Sequence, residues 1–179
     1  MLHTTFQLLR KYGDGRCFER RYRKLARSLG GVRAYGRDTP IPLTAVLDNN
    51  GLDNALWALR ATAEDSGPIA RELACDYAEH VLPIFERDYP DDKRPREGIE
   101  VARRYARGEA TDEELAAAED ATWDAAWAAA GYAAGYATGA AARTADRYIT
   151  LLAARAAGDV AGDTESTWQK RRLREKLAT

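Results

Sequence analysis

The sequence has few of the side chains that metal and redox chemistry require. Its 179 residues include two cysteines and two histidines, too few for a disulfide scaffold and without zinc-ligand spacing. Cys17 and Cys75 are therefore expected to be free thiols, packed rather than reactive. The sequence also lacks a glycine-rich phosphate loop and a nucleophile with an adjacent base. We expect a protein that is not an enzyme and that binds no metal or cofactor.

One group of residues partly resembles a metal site. Glu72, Asp76 and His80 recur every four positions in a predicted helix over residues 68–89, so they lie on one face. A metal centre needs further ligands, and no second histidine is near. We interpret Asp76 and His80 as a pair that forms an ordinary surface hydrogen bond.

Long apolar runs are also missing. Gln7, Arg10 and Lys11 interrupt the first residues of the chain, which argues against a cleavable signal peptide. Residues 125–142 carry no charge and reach the length of about 18 residues that a membrane span needs. Alanine and glycine gain little on transfer into lipid, so we reject the membrane interpretation. We expect a cytoplasmic protein without a membrane partner.

The net charge of −1 hides an uneven distribution along the chain. Residues 1–37 carry ten lysines or arginines against two acids, residues 38–142 nine against 21, and residues 143–179 eight against five. The simpler explanation is that basic terminal helices dock on an acidic central body. The alternative is a basic surface for nucleic acid or for an acidic protein.

What the sequence has in abundance is alanine, at 15 of the 27 positions from Ala116 to Ala142. Alanine has the highest helix propensity, which predicts one long helix over residues 112–157. Thr111 and Glu114 form a capping box at its start. An unbroken helix would be about 70 Å long, against a radius of gyration of about 16 Å for a compact domain of this size. We therefore expect a break or bend between residues 131 and 139, or a second protomer covering the protruding half.

Three glycines within this segment predict a close packing site. Gly131, Gly135 and Gly139 recur every four positions, so they form a groove along one side of the helix. Glycine costs about 1 kcal/mol relative to alanine in a helix, which indicates that the groove is used. We expect another helix to cross there.

The remaining sequence predicts an all-α fold, a multi-helix bundle around the long helix. Apolar residues recur at three- and four-residue steps between glycine and proline breaks, and no stretch alternates like a strand. We expect a single domain over residues 1–179, with basic N-terminal helices and a loop (1–42), a helical core (43–157) and a basic C-terminal helix (163–177). The further helices are predicted at 4–12, 16–29, 43–49, 52–63, 68–89 and 95–108, with an irregular loop at 32–42.

The predicted helix over residues 16–29 is the candidate partner-binding element. Its apolar residues occupy one side, and five cations are left mostly on the outside. Five cations on one short helix exceed what docking within the fold needs. The predicted partner-binding residues are Arg20, Arg21, Arg23, Lys24 and Arg27.

Three sequence runs resemble a known family. They are LACDYAEHVLP at 73–83, PDDKRPR at 90–96 and ARGEAT at 106–111, followed by alanine with periodic tryptophan. The pattern resembles the immunity-five-like domain, a helical family named as immunity proteins of bacterial polymorphic toxin systems and also met in phage and prophage genomes. The resemblance covers residues 43–177 and departs from the family at 131–139 and in the first 37 residues. It implies an inhibitor that binds a protein, and it carries over no site residues.

Three hypotheses from different classes follow. The first is an immunity protein that neutralises a toxin or nuclease by binding it, and the second is a phage-encoded inhibitor of a host defence nuclease, similar to an anti-CRISPR protein. The third is a nucleic-acid-binding module that uses the basic terminal helices. We prefer stoichiometric occlusion of a protein through the basic face, with the acidic middle filling a nuclease's nucleic-acid groove as the alternative. A homodimer is left open.

Overall fold

The computed structural model describes residues 1–13, 15–128, 157 and 163–178, and helices dominate in these residues. The predicted all-α class is confirmed. The chain divides into two compact units. The first unit comprises Met1–Ser66 and Lys170–Thr179, and the second comprises Gly67–Gln169. The expectation of a single domain stays a prediction. The helices are α1 (Phe6–Tyr12), α2 (Gly15–Ser28), α3 (Val32–Tyr35), α4 (Leu43–Asn50), α5 (Leu52–Ala58), a 3-10 turn (Leu59–Ala61), α6 (Gly67–Asp88), α7 (Arg94–Ala106), α8 (Asp112–Ala128) and α9 (Asp163–Ala178).

The first unit contains a two-stranded sheet that the sequence analysis did not predict. Strand β1 (His3–Thr4) pairs antiparallel with β2 (Ile41–Pro42). Thr4 is fully buried and its hydroxyl donates to the Ala61 carbonyl oxygen at 2.6 Å. The helix predicted over residues 4–12 therefore begins at Phe6, and Thr5 caps it by accepting from the Leu8 N–H. The expectation of a loop over residues 32–42 was wrong at α3 and β2. A four-residue helix and a two-residue strand are both too short to show a periodic pattern in the sequence.

The core of the first unit lies between α1, α2, α4 and α5. Phe6 is 1% exposed, and its ring centroid lies 5.4 Å from that of Tyr22 in an edge-to-face arrangement. Leu25, Ile41 and Leu56 are also buried. Tyr22 and Leu25 direct one side of α2 toward this core, so most of the charged side chains of α2 lie on its other sides.

The second unit is built on α6, α7 and α8, with α7 packed against both of the other helices. The sequence predicts an apolar row on α6, and its members Leu73, Tyr77, Val81 and Phe85 are fully buried, whereas Ile69 and Ile84 are half-buried. Pro83 lies inside the same helix. The four-residue spacing thus correctly identified the inward face of α6.

The N-terminus of α8 has the predicted capping box. The Glu114 N–H donates to the Thr111 hydroxyl oxygen at 3.2 Å, and the Thr111 N–H donates to the Glu114 carboxylate at 2.8 Å. The predicted break at 131–139, the glycine groove and a second protomer covering that region lie outside the described residues. Within the described part of the chain, no helix is both long enough and apolar enough to cross a membrane.

Candidate functional site

The basic helix α2 is held by the core of the first unit. Tyr22, Leu25 and Ala26 are buried along one side, which leaves the cations to occupy the rest of the helix surface. Shortly after the helix ends at Ser28, Gly30 and Gly31 have φ of +80° and +97°, a conformation that residues other than glycine rarely adopt. The sequence pattern predicted α2 to within one residue at each end.

Four arginines of α2 form a continuous row, which we call the arginine stripe: Arg16, Arg20, Arg23 and Arg27. At 3.6 residues per turn these positions fall within about 60° of one another around the helix axis. All four are exposed, and together with Glu19 they line one shallow surface groove. The structure therefore brings three of the predicted residues together and adds Arg16, which the sequence analysis missed.

The other two predicted cations occupy different positions on α2. Lys24 is exposed beside the arginine stripe and is not among the residues that line the groove. Arg21 is half-buried and lines a separate cavity on another side of the helix. The five predicted residues are thus not a single surface.

The arginine stripe has little compensating negative charge. Glu19 is the one acid in the groove; it pairs with Arg10 and lies 3.8 Å from the Arg23 guanidinium. Among the residues that the structure describes, Arg16 and Arg20 make no ion pair. Like charges four residues apart destabilise a helix by about 0.2–0.5 kcal/mol per pair. The stripe therefore weakens α2 on its own, and an acidic partner would relieve the repulsion.

The C-terminal half of α9 is also basic but differs from the stripe, because its arginines pair within the first unit. Arg174 pairs with Asp48 of α4. The Arg171 and Arg172 guanidinium groups lie 3.9 and 3.1 Å from the Glu175 carboxylate. Arg174 is thus compensated by another helix and Arg171 and Arg172 by an acid of α9 itself, whereas Arg16 and Arg20 of the stripe have no ion-pair partner among the described residues.

A cavity of about 180 Å³ lies beside the stripe, on the side of α2 that carries Arg21. The ring centroids of Phe18 and Trp57 are 5.5 Å apart, and those of Phe18 and Tyr22 are 5.6 Å apart, so aromatic rings form much of its wall. Sequence reasoning missed this cavity because its lining comes from four helices. The lining residues are Leu9, Cys17, Phe18, Arg21, Tyr22, Leu25, Val46, Asn50, Asn54 and Trp57.

Asn50, one of the lining residues, has a side-chain amide that is oriented by the backbone of α2. The Asn50 Nδ2 donates to the Arg21 carbonyl oxygen at 2.8 Å, which fixes the orientation of the amide because a carbonyl can only accept. The Asn50 Oδ1 is buried, and none of the described residues donates a hydrogen bond to it. Buried polar atoms in native proteins are rarely left in this state.

The interpretation of Asp76 and His80 as a surface hydrogen-bonded pair was wrong, because Asp76 is buried and each residue contacts another helix instead. The Asp76 carboxylate accepts from the Arg103 guanidinium of α7 at 3.0 Å. The His80 Nδ1 lies 2.6 Å from the buried Glu165 carboxylate of α9, and the His80 ring stacks on Trp168 at 3.7 Å. No group of three metal-ligating side chains occurs within the described residues. These contacts give both residues a structural role in the second unit.

Both cysteines are free thiols, as predicted, but the expectation that both are packed was wrong at Cys17. Cys17 is exposed and lines the mouth of the cavity, whereas Cys75 is fully buried in α6. Burial raises the pKa of the Cys75 thiol to about 12, because the low-dielectric interior disfavours the thiolate. Cys75 therefore stays protonated and unreactive in the folded protein.

Comparison with known proteins gives a family match over residues 60–176. A family model described as "Imm-5 like putative immunity protein" matches residues 60–176, a range that contains α6, α7, α8 and most of α9. Comparisons with curated proteins and with solved structures gave no match. The arginine stripe and all the residues that line the cavity lie before the matched residues. Because the match covers well over half of the chain, the protein belongs to the Imm-5-like immunity protein family.

Proposed function

We propose that this protein is a non-catalytic inhibitor that binds a toxin or nuclease stoichiometrically and blocks it. Membership of an immunity protein family supports a protein partner of this kind. A bound inhibitor needs surface complementarity and no reactive group. The chemistry of such a protein lies in its surface charge and shape.

The arginine stripe is the observation that carries the proposed binding mode. It presents four exposed guanidinium groups in one row, with Glu19 as the acid among them. Arginine forms bidentate hydrogen bonds with carboxylates, and a charged row accelerates encounter with an oppositely charged partner. The complementary surface is an acidic patch, such as the carboxylates around a nuclease active site.

The position of the stripe supports a role in partner choice. The family match begins at residue 60, whereas α2 ends at Ser28. We infer that residues 60–176 provide the frame shared by the family and that α2 provides specificity for this chain's own target. Immunity proteins need such a difference because each must distinguish its target from related toxins.

An acidic groove on α8 favours a second binding face. Glu119, Asp120, Trp123 and Asp124 line it, and this face would suit a partner's basic nucleic-acid groove. It lies within the family match. The stripe remains the preferred face because Glu19 is the one acid among its four arginines in the groove.

Co-expression tests the proposal in cells. Proteins encoded beside this gene in its native genome are expressed one at a time, with and without the inhibitor, and growth is measured. We expect one of them to arrest growth alone and to be harmless with the wild-type inhibitor. Arrest that the inhibitor leaves unchanged for every neighbouring toxic protein would contradict the immunity function.

Charge reversal tests the face. The stripe variant carries Arg16→Glu, Arg20→Glu and Arg23→Glu, and we expect it to lose protection. A matched control reverses three exposed cations elsewhere in the first unit, Arg33, Arg37 and Lys170, and so has the same net charge. Equal loss in both variants would indicate a general charge effect, including non-specific nucleic-acid binding, and would argue against a defined face.

A further inference from the structure

The cavity beside the arginine stripe is large enough for a small ligand. Its volume is about 180 Å³, whereas an apolar cavity of about 150 Å³ binds one benzene molecule. In proportion, the cavity has room for about seven carbon atoms. A single leucine or isoleucine side chain is too small to fill this space, which favours a longer chain.

The walls of the cavity favour an aliphatic chain over a further ring. The ring centroids of Phe18 and Trp57 lie 5.5 Å apart, and those of Phe18 and Tyr22 lie 5.6 Å apart. These rings therefore already contact one another and form a continuous wall without a slot between them. Leu25 and Val46 add aliphatic surface. A flexible chain can follow the space that remains, and its burial is favourable because apolar area is removed from water.

Arg21 gives the cavity a cationic group. Among the described residues that line the cavity, it is the one that carries a charge. Glu19 is the one acid of α2, and it pairs with Arg10 and lies near Arg23 instead. Within the described part of the chain, the Arg21 guanidinium has no ion-pair partner, and its nitrogens are not among the buried polar atoms. The guanidinium is therefore open to solvent at the edge of the cavity, where it can receive an anion.

The amide donors of the cavity wall are already engaged. The Asn50 Nδ2 donates to the Arg21 carbonyl oxygen at 2.8 Å, and the Asn54 Nδ2 donates to the Asn50 carbonyl oxygen at 2.6 Å. An anionic group that enters the cavity thus finds its strong hydrogen-bond donors in the Arg21 guanidinium. The rest of the ligand meets mainly apolar surface.

We propose that the cavity binds an aliphatic monocarboxylate. An unbranched chain of about seven carbon atoms lies inside, and the carboxylate pairs with the Arg21 guanidinium at the edge. Arginine holds a carboxylate through two parallel hydrogen bonds, a geometry that neutral head groups cannot provide. The residues that line the cavity are sufficient for this binding, so it goes beyond the proposed inhibition of a protein partner and is tested without one.

Isothermal titration of the full-length protein with butanoate, hexanoate, octanoate and dodecanoate tests the apolar part of the site. We expect the affinity to rise about fourfold with each added methylene group up to octanoate. We expect no further rise for dodecanoate, because the cavity is then full. Equal affinities for butanoate and octanoate would overturn the inference. A rise that continues at the same rate to dodecanoate would indicate a non-specific apolar surface and would also overturn it.

A comparison of octanoate with octan-1-ol tests the head group. We expect the wild-type protein to bind octanoate on the order of tenfold more tightly, because hydrogen bonds between charged groups are the stronger ones. Arg21→Gln should lose this difference. The matched control is Lys24→Gln, which removes an exposed cation of the same helix that does not line the cavity, and it should keep the difference. If both variants bind octanoate equally well, the pairing with Arg21 is wrong.

Protection of Cys17 locates the ligand in the protein without a substitution. Cys17 is exposed and lines the cavity, whereas Cys75 is buried, so N-ethylmaleimide should modify Cys17 selectively. We expect saturating octanoate to slow this reaction, and butanoate at the same concentration to leave it unchanged. A reaction that octanoate does not slow would place the ligand elsewhere and overturn the inference. If an acetylated leucine peptide with a free C-terminal carboxylate binds more tightly than octanoate, the cavity takes a chain terminus and the proposed small ligand is wrong.

Discussion

Gly98 allows close contact between α7 and α8, and replacing it with alanine gives the sharpest test of the packing. An added Cβ would lie 2.4 Å from the Thr122 Oγ1, but 3.6 Å from the Thr122 Cβ and 3.7 Å from the Ala118 carbonyl oxygen. The first distance is a clash and the others are ordinary contacts. The Thr122 hydroxyl cannot easily move, because it donates to the Ala118 carbonyl oxygen at 2.7 Å and the residue is fully buried.

Two opposing terms set the magnitude for Gly98→Ala. Overpacking a helix contact costs about 1–3 kcal/mol, and removing a glycine from a helix gains about 1 kcal/mol. We expect a net destabilisation of about 1 kcal/mol, or a fall in melting temperature of about 2–4 °C. Urea unfolding followed by far-ultraviolet circular dichroism measures the difference.

A double-mutant cycle with Thr122→Ala isolates the contact. In this background the clashing Oγ1 is gone, so the sign should reverse and Gly98→Ala should stabilise the protein by about 1 kcal/mol. The coupling energy is then about 2 kcal/mol, within the range for residues in contact. If Gly98→Ala raises the stability of the wild-type protein, the close approach of α7 and α8 is wrong.

Two further predictions concern buried groups of the second unit. The folded protein holds the Cys75 pKa near 12, above its ordinary value of 9.0, so the unfolded chain loses this proton first and stability should fall as the pH rises above 9.0. Cys75→Ala should remove the part of the fall in unfolding free energy above pH 9.0 that comes from this thiol, as measured by urea titrations at several pH values. If the variant and the wild-type protein show the same pH dependence, the prediction is wrong. His80→Phe should cost about 3 kcal/mol because it leaves the buried Glu165 carboxylate without its Nδ1 partner, whereas Glu165→Gln should cost less than about 1 kcal/mol because His80 is 39% exposed and can be solvated. Equal costs in thermal unfolding would refute the asymmetry.

Local signals in the sequence predicted much of the fold. The spacing of Tyr22 and Leu25 placed α2, and the Thr111–Glu114 capping box placed the start of α8, because caps and periodicity depend on residues within one or two turns. β1 and β2 depend on pairing between residues almost forty positions apart, and two-residue strands have no period. The close approach at Gly98 depends on a residue of another helix and could not be read from α7 alone.

The candidate site was predicted in part for the same reason. The sequence shows directly that α2 is rich in cations. Which of them belong to the stripe and which lines the cavity depends on their angular positions around the helix axis and on the helices that pack against α2. Arg16 was missed because it lies in the first turn, before the densest run of cations. The cavity needed α1, α2, α4 and α5 in place, since the Asn50 amide is oriented by the Arg21 backbone. No local pattern signals such a contact.

The most direct test of the central claim is titration of the target's toxic activity against inhibitor concentration. Stoichiometric occlusion predicts complete inhibition at one inhibitor molecule per target molecule. It also predicts that reversal of Arg16, Arg20 and Arg23 slows association and abolishes inhibition while leaving helicity and melting temperature unchanged. The matched control with reversals at Arg33, Arg37 and Lys170 should inhibit fully. Full inhibition by the stripe variant, or silencing of the target by a small fraction of an equivalent through turnover, would contradict stoichiometric occlusion through the arginine stripe.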